Sequence, residues 1–288
     1  MTWLRWAQVW FAETFGTYLL VLFGTGAVAA AVLTGAQAGL WQVAVVWGFG
    51  ITLAIYATAA ISGAHLNPAV TLAFAIFRRK EFPASRVLPY WTAQLAGSVL
   101  GGLTILWLFG PFIAHFEAEH GLVRGASGSQ LSAMVFGEYF PNPAIFGTDE
   151  LATSLMSPFM AAVVEGFGTA ILVLMIFSLV DRHNAALPAK HLAPFFIGFT
   201  VAVLISLFAP LTQAGWNPAR DFGPRLVAYF AGWGSIAIPG PSSGFWVYIV
   251  GPLIGGPIGA AIYELVLRPG LRPDIPIGTE VADGDVSQ

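Results

Sequence analysis

Cysteine is absent. The chain therefore has no disulfides and no thiolate metal sites, although this absence names no compartment. Charge is nearly as scarce. Only 9% of residues are Asp, Glu, Lys or Arg, against roughly 25% in a soluble domain. A net charge of -3 is too small to imply nucleic acid or a general acidic partner. The five histidines and the scattered Ser and Asp residues make no metal-ligand or nucleophile–base spacing. No metal, cofactor or enzymatic activity is expected. What the chain has in excess is apolar surface: 57% of residues are hydrophobic and the mean hydropathy is +0.75. A soluble protein of this length would need an implausibly large core, whereas spanning helices can be apolar all round.

Six segments approach the ~20 apolar residues that cross a bilayer: Trp6 to Leu33, Leu40 to Ile61, Leu88 to Leu108, Pro158 to Val180, Leu192 to Phe208 and Gly244 to Leu267. The first runs on from Met1 without a convincing cleavage site, so it reads as a retained helix rather than a signal peptide. Two further apolar pieces, after Asn67 and after Asn217, are too short to span and suit re-entrant half-helices. Irregular backbone at such depth needs protein or a wet cavity around it, so a pore is implied. In this layout Arg5, Arg78, Arg79, Lys80, Arg86, Arg182, Lys190, Arg268 and Arg272 fall on one side, and Arg124, Arg220 and Arg225 on the other. The asymmetry predicts both termini in the cytoplasm.

An internal repeat sets the architecture. Glu13-Thr-Phe-Gly-Thr-Tyr-Leu-Leu-Val-Leu is echoed by Glu165-Gly-Phe-Gly-Thr-Ala-Ile-Leu-Val-Leu, and Asn-Pro-Ala occurs at Asn67 and at Asn217. The two spacings, 13 to 165 and 67 to 217, differ by only two residues. Three spans per copy invert the second copy, which brings the half-helices in from opposite faces. The expected fold is an all-α membrane protein of six transmembrane helices and two re-entrant half-helices in an inverted repeat. Residues 1–109 form the first repeat with a half-helix over 67–77, and 110–157 a long, acidic external loop. Residues 158–267 form the second repeat with a half-helix over 217–230, and 268–288 a cytoplasmic tail whose composition predicts disorder.

In each triplet Asn is a good N-cap and Pro fits the first helical turn. Ala is small enough for two helix ends to touch. Asn67-Pro68-Ala69 and Asn217-Pro218-Ala219 thus start two helices whose positive ends face the channel centre. Their amides offer donors to a passing oxygen, and a water held by both cannot relay a proton, while the helix ends repel cations. A third triplet, Asn142-Pro143-Ala144, lies outside the repeat register and is expected to make a turn.

Ser62-Gly-Ala-His-Leu-Asn-Pro-Ala-Val70 and Gly215-Trp-Asn-Pro-Ala-Arg220 resemble the two signatures of the aquaporin (major intrinsic protein) family, and the resemblance covers about Phe11 to Leu267. It implies one pore per subunit, a homotetramer in the plasma or inner membrane, lipid around it, and passage of small uncharged molecules. Arg220-Asp221-Phe-Gly-Pro-Arg225 and Tyr139-Phe-Pro-Asn-Pro143 are similar to the glycerol-facilitator branch. Asp221 and Arg225, four apart on the half-helix, can pair.

The resemblance also places an outer constriction at Trp47, Ile205, Ala214 and Arg220, and a ladder of pore-facing carbonyls at Gly63, Ala64, His65, Ala214 and Gly215. Arg220 would bind hydroxyls and exclude cations, and Trp47 would give an apolar wall. Facilitators typically have Gly and an aromatic where this chain has Ile205 and Ala214. Trp-Ile-Ala-Arg looks more like the nodulin-type plant channels, which pass glycerol, water and some metalloid hydroxides. His65 lacks ligand partners and reads as a neutral structural or pore-lining group. Glu13 and Glu165 could relay protons, but their symmetric placement favours carboxylates that tie down the re-entrant loops. The reading is a passive channel for glycerol and similar neutral solutes with water. A water or metalloid-acid channel, a coupled secondary transporter and a plugged adhesion tetramer remain as alternatives.

Overall fold

The computed structural model describes residues 2–187 and 189–271. It is helical, with no strand among the described residues. In chain order the main helices are α1 (Trp3–Thr34), α2 (Leu40–Ser62), α3 (Pro68–Phe77), α4 (Val87–Glu119), α5 (Pro158–Val180), α6 (Ala193–Thr212), α7 (Pro218–Ala228) and α8 (Val247–Ile262). Six of them, with flanking 3-10 turns, are long and apolar enough to cross a membrane, while α3 and α7 are not. The starts follow capping chemistry. Thr2 caps α1, Ser157 followed by Pro158 caps α5, and Asn67 and Asn217 followed by proline cap α3 and α7. Such caps satisfy amides that have no partner inside the helix.

The neighbours repeat as the sequence does. α1 packs on α2 and α4, and α5 packs on α6 and α8. Each half-helix crosses over: α3 packs on α8, and α7 on α4. α2 and α6 meet across the pseudo-twofold. A Cβ on Gly198 would run into the Gly48 carbonyl oxygen, and one on Gly48 would lie 2.6 Å from that of Gly198. Small residues let helices approach where lipid gives no hydrophobic drive. Gly97, Gly101 and Gly102 of α4 serve the same end against α1 and α7, as Gly251, Gly255 and Gly256 of α8 do against α5 and α3.

Several boundaries differ from the sequence expectation; α6, for one, runs past Phe208 to Thr212. The third span does not stop near Leu108, because α4 runs through Pro111 to Glu119. Ile113 is buried there, and Glu117 is paired with Arg124 and Ser132. The Gly110-Pro111 step lowers apolar periodicity without breaking the helix. The segment between α4 and α5 therefore begins ten residues later than 110, and it holds short helices at Gln130–Ala133, Pro143–Phe146 and Glu150–Ser154. The second half-helix ends at Ala228 and passes into a π turn, Tyr229–Trp233. Of the expected tail from 268, Arg268–Gly270 form a 3-10 turn, and 272–288, with Arg272, lie outside the described residues.

That turn is pinned. Asp181 accepts from Arg268 Nε at 2.7 Å, Arg78 Nη2 at 3.3 Å and the His183 amide at 2.9 Å, and Glu264 accepts from Arg78 and Arg268. The cluster ties the C-terminal ends of α3, α5 and α8 together. Burial alone would raise the Asp181 pKa. Hydrogen bonds from His183 and Arg268, with the Arg268 charge, outweigh it and hold the carboxyl well below its ordinary value. A depressed folded pKa contributes stability above the ordinary carboxylate range and loses it as pH falls through that range and below. Asp181→Asn should thus lower the thermal midpoint in detergent at pH 7, and flatten its decline below about pH 4. An unchanged midpoint at pH 7 would show that the cluster is idle.

Candidate functional site

The two half-helices meet by their N-termini. Asn67 Oδ1 accepts from the Ala69 amide at 2.8 Å, and Asn217 Oδ1 accepts from the Ala219 and Arg220 amides at 3.1 and 3.2 Å. Asn67 Nδ2 donates to the Trp216 carbonyl at 2.9 Å, and Asn217 Nδ2 donates to the Leu66 carbonyl at 2.8 Å. Each carboxamide nitrogen carries two hydrogens. One is used in the cross-link, which leaves one on each side for a passing oxygen. The helix dipoles put positive potential at the same point. Pro68, Ala69, Pro218 and Ala219 are buried behind these amides.

The loops that enter the half-helices are held in an unusual backbone. Ala64, Leu66, Gln213, Ala214 and Trp216 all have positive φ, between 48° and 65°, and Gly63 sits at 90°. Left-handed conformations at non-glycine residues cost of order 1–3 kcal/mol each and need an opposing anchor. Glu13 supplies one. Its carboxylate accepts from the His65 and Leu66 amides, both at 2.9 Å, from Ser62 Oγ at 2.7 Å and from Gln94 Nε2 at 2.9 Å. Glu165 repeats the pattern, accepting from the Gly215 and Trp216 amides at 3.0 and 2.7 Å and from Thr212 Oγ1 at 2.6 Å. Both acids are fully buried. With the amides turned toward Glu13 and Glu165, the residues Gly63, Ala64, His65, Ala214 and Gly215 line the central cavity.

That cavity has a volume of about 300 Å³ and extends from Lys190 past Asn67 and Asn217 to Trp47 and Arg220. Trp47 comes from α2, Ile205 from α6, Ala214 from the loop before α7 and Arg220 from α7. The structure brings all four onto this one cavity, at its α7 end. The Arg220 guanidinium lies over the Trp47 ring, 4.2 Å from the centroid. This part of the lining therefore combines an apolar indole face with a fixed cation, carrying N–H donors, stacked on it. His65 turns its ring into Phe74, Phe82 and Tyr90, and Nδ1 is 3.3 Å from Thr71 Oγ1. No group of three or more potential metal ligands occurs among the described residues.

Asp221 and Arg225 pair at 2.8 and 2.9 Å. The pair is wholly buried rather than on a surface. Two residues were not anticipated as part of the site: Glu138, in the segment between α4 and α5, and Gln213, in the loop before α7. Glu138 forms an ion pair with Arg220, and Gln213 Oε1 accepts from the Tyr139 amide at 2.8 Å. Glu138 directly precedes Tyr139-Phe-Pro-Asn-Pro143, and the only basic residues expected on that face were Arg124, Arg220 and Arg225. Those two facts together were the available signal. The third triplet makes more than a turn. Asn142 caps the one-turn helix Pro143–Phe146, and its Nδ2 donates to the Ala209 carbonyl near the end of α6.

The sequence profile of the major intrinsic protein family matches residues 2–263. The chain belongs to this family. Among curated major intrinsic proteins it is similar to the propanediol uptake facilitator PduF of Citrobacter freundii, with 44% identity over 262 residues, 90% of this chain and 92% of that one. It is 42% identical over 259 residues to the glycerol uptake facilitator protein of Pseudomonas aeruginosa, covering 89% of this chain and 87% of that one. Among solved major intrinsic proteins, the aquaglyceroporin from Plasmodium falciparum superposes with a TM-score of 0.77 at 25% identity, over 92% of this chain and 98% of that one. The protein is thus an integral membrane protein of the major intrinsic protein family.

Proposed function

We propose that the protein is a passive channel that lets glycerol and similar small neutral solutes diffuse across the membrane, with water, while it excludes protons and ions. The observation that carries this reading is a lane lined both by donors and by apolar surface: Asn67, Asn217 and Arg220 supply N–H groups, and Trp47 and Ile205 supply apolar faces. A polyol moves through such a lane with its hydroxyls on the donors and its carbon skeleton on the tryptophan. The two intramembrane acids of the repeat, Glu13 and Glu165, are spent on loop amides rather than free to couple flux to an ion gradient. The same lane suits a diol that ends in a methyl group, which Ile205 would face. A named propanediol facilitator among the relatives makes propane-1,2-diol a second solute to assay.

The proposal extends to a homotetramer with a pore in each subunit, in the plasma or inner membrane, with both termini cytoplasmic. Purified protein in liposomes should swell in an inward glycerol gradient with no ion or proton gradient applied, and should not swell in sucrose. Swelling that demands an ion gradient would overturn the channel reading. Ala214→Phe fills the small side of the constriction and should lower the glycerol-to-water permeability ratio by about tenfold, since pocket size at the level of single methylenes already discriminates 10-fold or more. An unchanged ratio would remove Ala214 from the constriction.

A further inference from the structure

The segment from Glu138 to Asn142 fastens on three elements that carry the constriction: α7, the loop before it and the end of α6. The Glu138 amide donates to Asp221 Oδ1 at 2.7 Å, and the Glu138 carbonyl accepts from Arg225 Nη2. The Asp221–Arg225 pair therefore works as a bracket, gripping this residue by both of its backbone groups. Gly137 is required beside it, because a Cβ there would lie 2.8 Å from Arg225 Cζ. Two residues further, the Tyr139 amide binds Gln213, the neighbour of Ala214. Asn142 closes the clasp on α6, with its Nδ2 on the Ala209 carbonyl at 3.0 Å and its amide on the Pro210 carbonyl at 3.1 Å. Held in this way, Glu138 has one direction left for its side chain, and the buried carboxylate meets Arg220.

We propose that Glu138 is a positioning residue for the constriction: mounted on Asp221 and Arg225, its carboxylate fixes the Arg220 guanidinium against Trp47 at the edge of the cavity. This rests on Arg220 being part of the constriction. A buried guanidinium without a counter-charge is costly, so loss of the carboxylate lets it swing from the edge of the cavity further across the pore. There it narrows the opening and grips polyol oxygens longer. Glycerol, the larger solute, is slowed more than water. The bracket also gives Asp221 its purpose, which is to hold an outer segment in place over the constriction.

The test is stopped-flow permeability of Glu138→Gln in liposomes, with Arg220→Ala and the double variant alongside, each normalised to incorporated protein. Glu138→Gln keeps the shape of the side chain and removes its charge. It should lower the glycerol-to-water ratio about tenfold, the size expected from one charge-assisted contact, and should have no such effect in the Arg220→Ala background. An equal loss in both backgrounds would mean Glu138 acts through the fold and would overturn the proposal. So would an unchanged ratio in Glu138→Gln when Arg220→Ala does alter it. If Arg220→Ala leaves the ratio as it was, the constriction is misplaced and the earlier reading fails with it. Where Glu138→Gln incorporates poorly, Asn142→Asp keeps the capping oxygen and loses the donor to Ala209. It should shift the ratio in the same direction, and a normal ratio there would count against the clasp.

Discussion

Glu165→Ala is expected to yield almost no assembled channel. The carboxylate is the sole side-chain partner of two amides, Gly215 and Trp216, and it also receives Thr212 Oγ1. Removing it orphans three buried donors, at roughly 1–3 kcal/mol apiece. It also leaves the positive-φ residues Gln213, Ala214 and Trp216 without the anchor that offsets their strain. The sum approaches the whole stability of a typical domain, about 5–15 kcal/mol. Glu165→Gln is expected to fail less completely, because one oxygen remains while an NH2 group is turned onto an amide donor. The check is yield and monodispersity after detergent extraction, with a thermal midpoint on whatever survives. Wild-type yield and midpoint for Glu165→Ala would mean that these loops hold themselves, and that the buried acids serve another purpose.

Gly24→Val is expected to close the pore in a chain that still folds. Gly24 lies in α1 where the Trp47 indole rests, and a Cβ at this position would lie 2.1 to 2.3 Å from three atoms of its six-membered ring. α1 itself accepts valine readily in lipid, so the tryptophan must move, and the open side is the cavity it lines. Overpacking strain of roughly 1–3 kcal/mol favours the displaced indole about tenfold or more, because 1.4 kcal/mol is one factor of ten. Glycerol and water flux should both fall by about that factor, with normal incorporation. Trp47→Leu in the same chain should restore flux. Full flux in Gly24→Val alone would show that the helices part instead and that the ring stays where it is.

The repeat was the most legible feature of the sequence. Glu13 with Asn67 and Glu165 with Asn217 are enough to place both half-helices, because each copy uses the same chemistry: an acid, a hydroxyl at Ser62 or Thr212, and a capped proline turn. What lies outside the repeat was harder to read. Gly110-Pro111 looks like the end of a helix, yet α4 continues because Ile113 is buried and Glu117 pairs with Arg124 and Ser132 of the segment that follows. Glu138 gave little signal because its partners, Asp221, Arg225 and Arg220, lie more than eighty residues away. Single-sequence periodicity reports local pattern, whereas this contact depends on an irregular segment folding back over the bundle. The third Asn-Pro-Ala shows both limits. Its capping role follows from residue type, but its hold on Ala209 is visible only in three dimensions.

The crossed packing of the half-helices has a bearing on how the molecule is made. α3 is complete at Phe77, but the helix it rests on, α8, begins at Val247. α7 finds its own support, α4, already synthesised. Translation therefore treats the two symmetric halves unequally. The first re-entrant segment must wait, without its main neighbour, until nearly the entire polypeptide has left the ribosome, and the second can dock as it emerges. The last span to be inserted is thus the one that completes the first half, and a chain that stops short of it has a seat missing beneath Asn67.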